Sequence, residues 1–135
     1  MQAKQKLLNY QVSIMSGRNV LITGGLGNLG SKLTIYLGSL GYQVYVLSRK
    51  PTNTILNTEY IAITADITNL EQLQQKLNFE IDFCVHTASF NEFFLAGYAK
   101  KALEVNSLGT RNLLEVLSKK DVKHFIYFST FHVYG

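Results

Sequence analysis

The chain is poor in cysteine: Cys84 is the only one, and it sits within an apolar run. That excludes an internal disulfide and suits a reducing, cytoplasmic setting. No apolar stretch is long enough to span a membrane, so no membrane partner is expected. The first fourteen residues lack a secretory pattern, since no apolar run follows Lys4 and Lys6. Three histidines and one cysteine show no metal-ligand spacing, so no metal is expected. Charge is modest, with a formal net of +4 scattered along the chain. Lys100–Lys101 and Lys119–Lys120 read as the solvated ends of one helix, which makes a nucleic-acid partner unexpected. There is no repeat and no low-complexity tract. What remains is 135 residues, 47% of them apolar, enough for one domain with a real core.

The most informative segment is Val20-Leu21-Ile22-Thr23-Gly24-Gly25-Leu26-Gly27-Asn28-Leu29-Gly30. An apolar strand breaks into spaced glycines and re-emerges as a helix. Such a turn lets backbone N–H groups approach a pyrophosphate at the positive end of a helix dipole. The glycines serve a tight turn, a close backbone approach to the ligand, and close packing of helix on strand. Leu29, Leu33, Leu37 and Leu40 then recur at helical spacing, and Gly41 ends the helix. A nucleotide-triphosphate loop fits poorly, because Ser31 stands where its lysine belongs and Lys32 comes one place late.

Strands are predicted near residues 19–23, 43–48, 60–64, 82–87 and 123–129, with helices near 28–40, 69–77 and 98–118. Their alternation implies a parallel sheet with helices on both faces and right-handed crossovers. Pro51 to Thr58 is the least structured connection, and Met15 to Arg18 would make a natural start before the first strand. Residues 1–16 are therefore expected to form a loose extension or to reflect a misplaced start codon, with residues 17–135 forming the domain.

Three places outside the glycine turn carry chemistry. The end of the second strand reads Ser48-Arg49-Lys50, with no carboxylate to accept from a ribose 2′-hydroxyl. Arg49 can fork onto a 2′-phosphate and Ser48 can donate to it, favouring NADP(H) over NAD(H); otherwise Arg49 and Lys50 simply open an exposed loop. Asp66 follows the third strand. Thr68 and Glu71 read as a capping box for the next helix, leaving Asp66 to accept from an adenine amino group or else to cap. Asn106 falls on the inward stripe predicted for the last helix, with Ala102, Leu103, Gly109, Leu113 and Leu117. Burial there implies a fixed polar contact, structural or catalytic, and Gly109 implies close packing.

From about Arg18 to Gly135 the chain resembles the extended short-chain dehydrogenase/reductases, the NAD(P)-dependent epimerase/dehydratase group. Thr23 to Gly30 matches the TGxxGxxG cofactor loop, and Ala65-Asp66-Ile67 is similar to the adenine-binding segment. Val85-His86-Thr87-Ala88-Ser89 resembles the cofactor-lining H-x-A-A, with Ser89 in place of the second alanine. Asn106 to Glu115 is similar to the N-x-x-G-T-x-N-L-L-E helix, and Phe128 to Gly135 to the S-[ST]-x-x-V-Y-G strand end. The resemblance implies a Rossmann-type doubly wound parallel sheet of about five strands, cut off after the fifth. It also implies cofactor contacts at Thr23, Gly24, Gly27, Asn28, Leu29 and Gly30 of the turn. Further contacts are implied at Asp66, Ile67, Thr87, Ala88, Ser89 and Asn106.

The same resemblance puts the catalytic serine/threonine at Thr130, hydrogen-bonded to the substrate oxygen undergoing oxidation. In such enzymes a tyrosine, its pKa lowered by a lysine four residues later, takes the alcohol proton, because an unperturbed phenol is a poor base at neutral pH. No Tyr-x-x-x-Lys occurs here. Tyr98 with Lys100 and Lys101 has the wrong spacing, and Tyr45 is followed at that distance by Arg49. Tyr134 belongs to the V-Y-G element, whose tyrosine is not the base. Phe131 and His132 replace positions that are acidic in some dehydratases. The expectation is therefore the dinucleotide-binding portion of a larger reductase or epimerase, inactive alone, whose full-length form acts on a nucleotide sugar or other small alcohol or ketone. An apolar edge at Phe125 to Phe128 would call for a second copy or a complementing C-terminal chain. A non-catalytic NADP(H) sensor that docks a partner, or the product of a truncated gene, are the alternatives.

Overall fold

Short apolar strands flanked by helical segments give one parallel sheet, because strands buried on both faces must be apolar throughout. The computed structural model describes residues 2, 5, 6, 16–50, 57–90 and 99–129. The expected loop over 51–58 and the expected extension over 1–16 fall mostly outside them. The strands are β1 (Asn19–Thr23), β2 (Gln43–Ser48), β3 (Ile61–Thr64), β4 (Phe83–His86) and β5 (His124–Tyr127). They are ordered β3-β2-β1-β4-β5 and all pairs are parallel. Val20 lies opposite Val44 on one side and Phe83 on the other.

The two-residue period of β1 sends Val20 and Ile22 to one face and Leu21 to the other. The first face packs Val44, Val46 and Val85 beneath Leu33 and Leu37 of α1 (Asn28–Ser39). The second packs Leu47, Ile63 and Cys84 beneath Leu73 of α2 (Leu70–Lys76) and Leu113 of the last helix. The helix α1 ends as expected at Gly41, whose φ is +87°, with Tyr42 N–H donating to Leu37 O and Gly41 N–H to Gly38 O. Its inward stripe differs from the expected one: Gly30 and Thr34 are buried, whereas Leu29 is 43% exposed.

The last helix is not uniform. It runs through α3 (Ala99–Ala102), a π-helical segment (Leu103–Gly109) and α4 (Thr110–Leu117). The wider π turns shift the phase, so Ala102, Val105, Gly109, Leu113 and Leu117 face inward while Leu103 is 65% exposed. The expected inward position of Leu103 is therefore taken by Val105. Gly109 packs as expected, since a Cβ there would lie 2.7 Å from Ile67 Cγ2. On β5, Phe125 packs against the core, but Ile126, Tyr127 and Phe128 are about half exposed. No helix among the described residues is long and apolar enough to cross a membrane.

Candidate functional site

In a sheet ordered this way, β1 and β4 lie side by side but their crossovers leave to opposite faces, opening a crevice beyond their C-terminal ends. A groove of about 650 Å³ occupies that place. Its floor is the glycine turn, and two positions there accept no other residue. Gly24 has a φ of +70°, and a Cβ on it would lie 2.8 Å from Ala88 N. A Cβ on Gly30 would lie 2.1 Å from Gly24 O, so α1 can approach the turn only with glycine.

Gly27 caps α1 with extended backbone and no side-chain hydrogen bond, and the first turn carries no acidic residue. The amides at the start of α1 therefore face the groove with the helix dipole uncompensated, a setting suited to an anion. Gly27, Asn28, Leu29 and Gly30 all line it. The opposite lip is Thr87, Ala88 and Ser89 as the chain leaves β4. Thr87 is fixed there, its N–H and hydroxyl both donating to Thr23 O at 3.1 and 2.7 Å. Ser48, Arg49 and Lys50 close the end beyond β2, with Arg49 exposed. Ile67 contributes an apolar wall. The cradle thus fits a dinucleotide: room, free amides for a pyrophosphate, and cations where a ribose would end.

Three of the expected site residues stand elsewhere. Thr23 is fully buried and does not line the groove; its hydroxyl meets His86 Nδ1 at 2.5 Å. Asp66 does not line it either, because Oδ1 accepts from Thr68 N–H and Thr68 Oγ1 at 2.9 and 2.8 Å. Burial pushes the Asp66 carboxyl up, but the Thr68 bonds and the charges of Lys101 and Arg49 outweigh it and hold it below its ordinary value. The capping box expected from Thr68 and Glu71 is displaced by one residue: Asn69 caps α2, its Oδ1 accepting from Gln72 N–H at 3.0 Å. Asn106 clamps the backbone of Phe90, accepting from its N–H at 2.7 Å and donating to its carbonyl at 2.9 Å. Thr130 lies outside the described residues. Ser48 keeps its place, but its hydroxyl donates to Lys50 O at 2.8 Å, so its proton is already used.

Other contributors had no individual role assigned from the sequence, although His86 and Asn112 fall inside the motifs quoted above. Leu26, Leu47, Val105 and Phe128 add apolar lining, and nothing distinguishes them in sequence from core residues. Asn112 is buried and donates to Ile67 O and Thr68 O, tying the last helix to the β3 exit. His86 is 1% exposed at the end of an apolar strand, and burial alone lowers its pKa to about 4. The H-x-A-A resemblance marks its segment in sequence, but not its burial or its partners.

The family model described as the NAD dependent epimerase/dehydratase family matches residues 20–135. The chain is 32% identical over 143 residues to a dTDP-D-glucose 4,6-dehydratase of Dictyostelium discoideum, covering 87% of this chain and 30% of that protein. Its fold matches the epimerase Mth375 of Methanothermobacter thermautotrophicus with a TM-score of 0.78 at 27% identity, covering 93% of this chain and 39% of that one. It also matches the Bordetella bronchiseptica enzyme WbmG, solved in complex with NAD, with a TM-score of 0.77 at 26% identity. That match covers 89% of this chain and 40% of WbmG, which was also solved with NAD and UDP. The chain thus spans well under half the length of these relatives.

Proposed function

Since the chain belongs to the NAD-dependent epimerase/dehydratase family, we propose that its groove receives a nicotinamide dinucleotide with the pyrophosphate at the start of α1. The observation that carries this reading is the uncapped, acid-free N-terminus of α1, facing the groove across Gly27. When bound, the dinucleotide supplies hydride transfer. The residues of this chain bind and orient it: Gly24 and Gly30 let the turn close, and Thr87 holds the far lip against β1.

The substrate reading is a nucleotide sugar or a related alcohol or ketone, handled by a larger enzyme of which this is the dinucleotide-binding portion. It is supported by the dehydratase relative and by WbmG, solved with UDP. In that enzyme Thr130 would hydrogen-bond the reacting oxygen. Without Tyr-x-x-x-Lys, the 135-residue chain should bind dinucleotide and turn nothing over. Steady substrate-dependent change in nicotinamide absorbance with the isolated chain would contradict this.

NADP(H) is favoured over NAD(H). The support is Arg49, exposed at the β2 end of the groove with Lys50 beside it and no carboxylate in Ser48-Arg49-Lys50. Fluorescence titration should find NADPH bound more tightly than NADH, by about tenfold for one charge-assisted fork. Arg49→Asp should narrow or reverse that ratio. Equal affinities in the unmodified chain would overturn the preference, and no saturable binding of either would overturn the groove assignment.

A further inference from the structure

Behind the groove runs a chain of hydrogen bonds with a readable direction. Thr110 Oγ1 donates its single proton to Asn106 O at 2.7 Å, one turn back in the π segment. It can therefore only accept from His86 Nε2, 2.9 Å away. The imidazole is buried between the β1 exit and the last helix, with the rings of Phe125 and Tyr127 on β5 beside it. Burial keeps it neutral, so a proton on Nε2 leaves Nδ1 bare. Nδ1 then accepts from the Thr23 hydroxyl at 2.5 Å, and Thr23 Oγ1 is left to accept from Ala88 N–H at 3.3 Å. Every proton in the series points the same way, from the groove lip to the π segment.

We infer that His86 is a positioning residue: as the neutral Nε2–H tautomer it ties the glycine turn and the Ala88 lip to the last helix, setting the width of the groove where the pyrophosphate would lie. Thr23 immediately precedes Gly24, and Gly24 leaves no room for a Cβ beside Ala88, so a small shift of either lip changes the crevice. Thr110 touches neither lip and does not line the groove, yet it decides which imidazole nitrogen holds the proton. Without its hydroxyl the buried Nε2–H has no acceptor, and the proton moves to Nδ1. Thr23 then turns from donor to acceptor, and Ala88 N–H must compete with the imidazole for its oxygen.

Three readouts on the full chain test this; only the binding one rests on the dinucleotide reading. Nitrogen-15 NMR of the histidine ring should show Nε2 protonated and Nδ1 bare; the reverse, or a protonated ring at neutral pH, overturns the inference. Thr110→Val should move the proton to Nδ1, speed amide exchange at Ala88 about fivefold, and weaken NADH binding by a similar factor, the worth of about one hydrogen bond. Thr110→Ser, which keeps the hydroxyl, should restore all three. A folded Thr110→Val with unmodified Ala88 exchange overturns the inference. If Thr110→Val does not fold, the ring tautomer and Thr110→Ser decide it. If the unmodified chain binds no NADH, the groove assignment fails, while tautomer and exchange still decide this one.

Discussion

His86 carries no charge because it is buried: the residue is 1% exposed with the aromatic rings of Phe125 and Tyr127 alongside, and loss of water disfavours the charged form. Its pKa of about 4 in the folded chain lies below the 6.5 it regains on unfolding. Between those values the unfolded chain holds the extra proton, so stability must fall as pH drops from about 6.5 to about 4. The whole loss is roughly 3 kcal/mol. Asp66 and Asp82 are both held below the ordinary carboxylate value of 3.8, so their losses set in around that pH and grow as it falls further. For Asp82 the hydrogen bond from Lys123 is the main cause. Urea denaturation at pH 7, 5.5 and 4.5 should show the decline, and His86→Gln should flatten it; a flat profile in the unmodified chain would contradict the neutral, buried ring. At this scale the sequence was half legible. The glycine spacing announced the turn, because only glycine satisfies +70° at Gly24 and contact at Gly30. The fate of Thr23, Asp66 and Asn106 was not legible: a hydroxyl or carboxamide that binds a ligand and one that binds its own backbone look the same in sequence.

The elements show a similar division, with phase as the missing quantity. Strands that must be apolar on both sides stand out from their neighbours, and β1 and β2 fall where the pattern put them. Two cap signals lie one residue apart before α2, Thr68 with Glu71 and Asn69 with Gln72, and local sequence does not choose between them. The fold uses the second, because Thr68 is drawn into the turn held by Asp66 while Gln72 Oε1 accepts from Asp66 N–H at 2.9 Å. Asn69→Ala should therefore cost about 1 kcal/mol in denaturant titration, and Thr68→Ala should leave the cap itself intact. A larger loss of helical signal from Thr68→Ala would reverse that assignment. The π segment is invisible for the same reason: a uniform helical period puts Leu103 inward, and a local widening exchanges it for Val105 without altering composition.

For the whole molecule, a parallel sheet with right-handed crossovers followed from the alternation of elements, whereas the order β3-β2-β1-β4-β5, which opens the crevice, is set by which strands pair in the fold. The substrate was not legible, because the glycine turn, the β2 exit and the lip of Thr87, Ala88 and Ser89 are patterns suited to a dinucleotide and carry no signature of what reacts with it. The most direct test of the central claim uses the helix that links stability and binding in one place. Asn28→Asp adds a carboxylate to the first turn of α1, where there is none. That charge should stabilise the folded chain by about 0.5 kcal/mol through the helix dipole. In the same position it should oppose a pyrophosphate and weaken NADH and NADPH binding about tenfold. Paired denaturation and titration of this variant should therefore move in opposite directions. Unchanged or tighter dinucleotide binding in a fully folded Asn28→Asp chain would contradict the seat at α1.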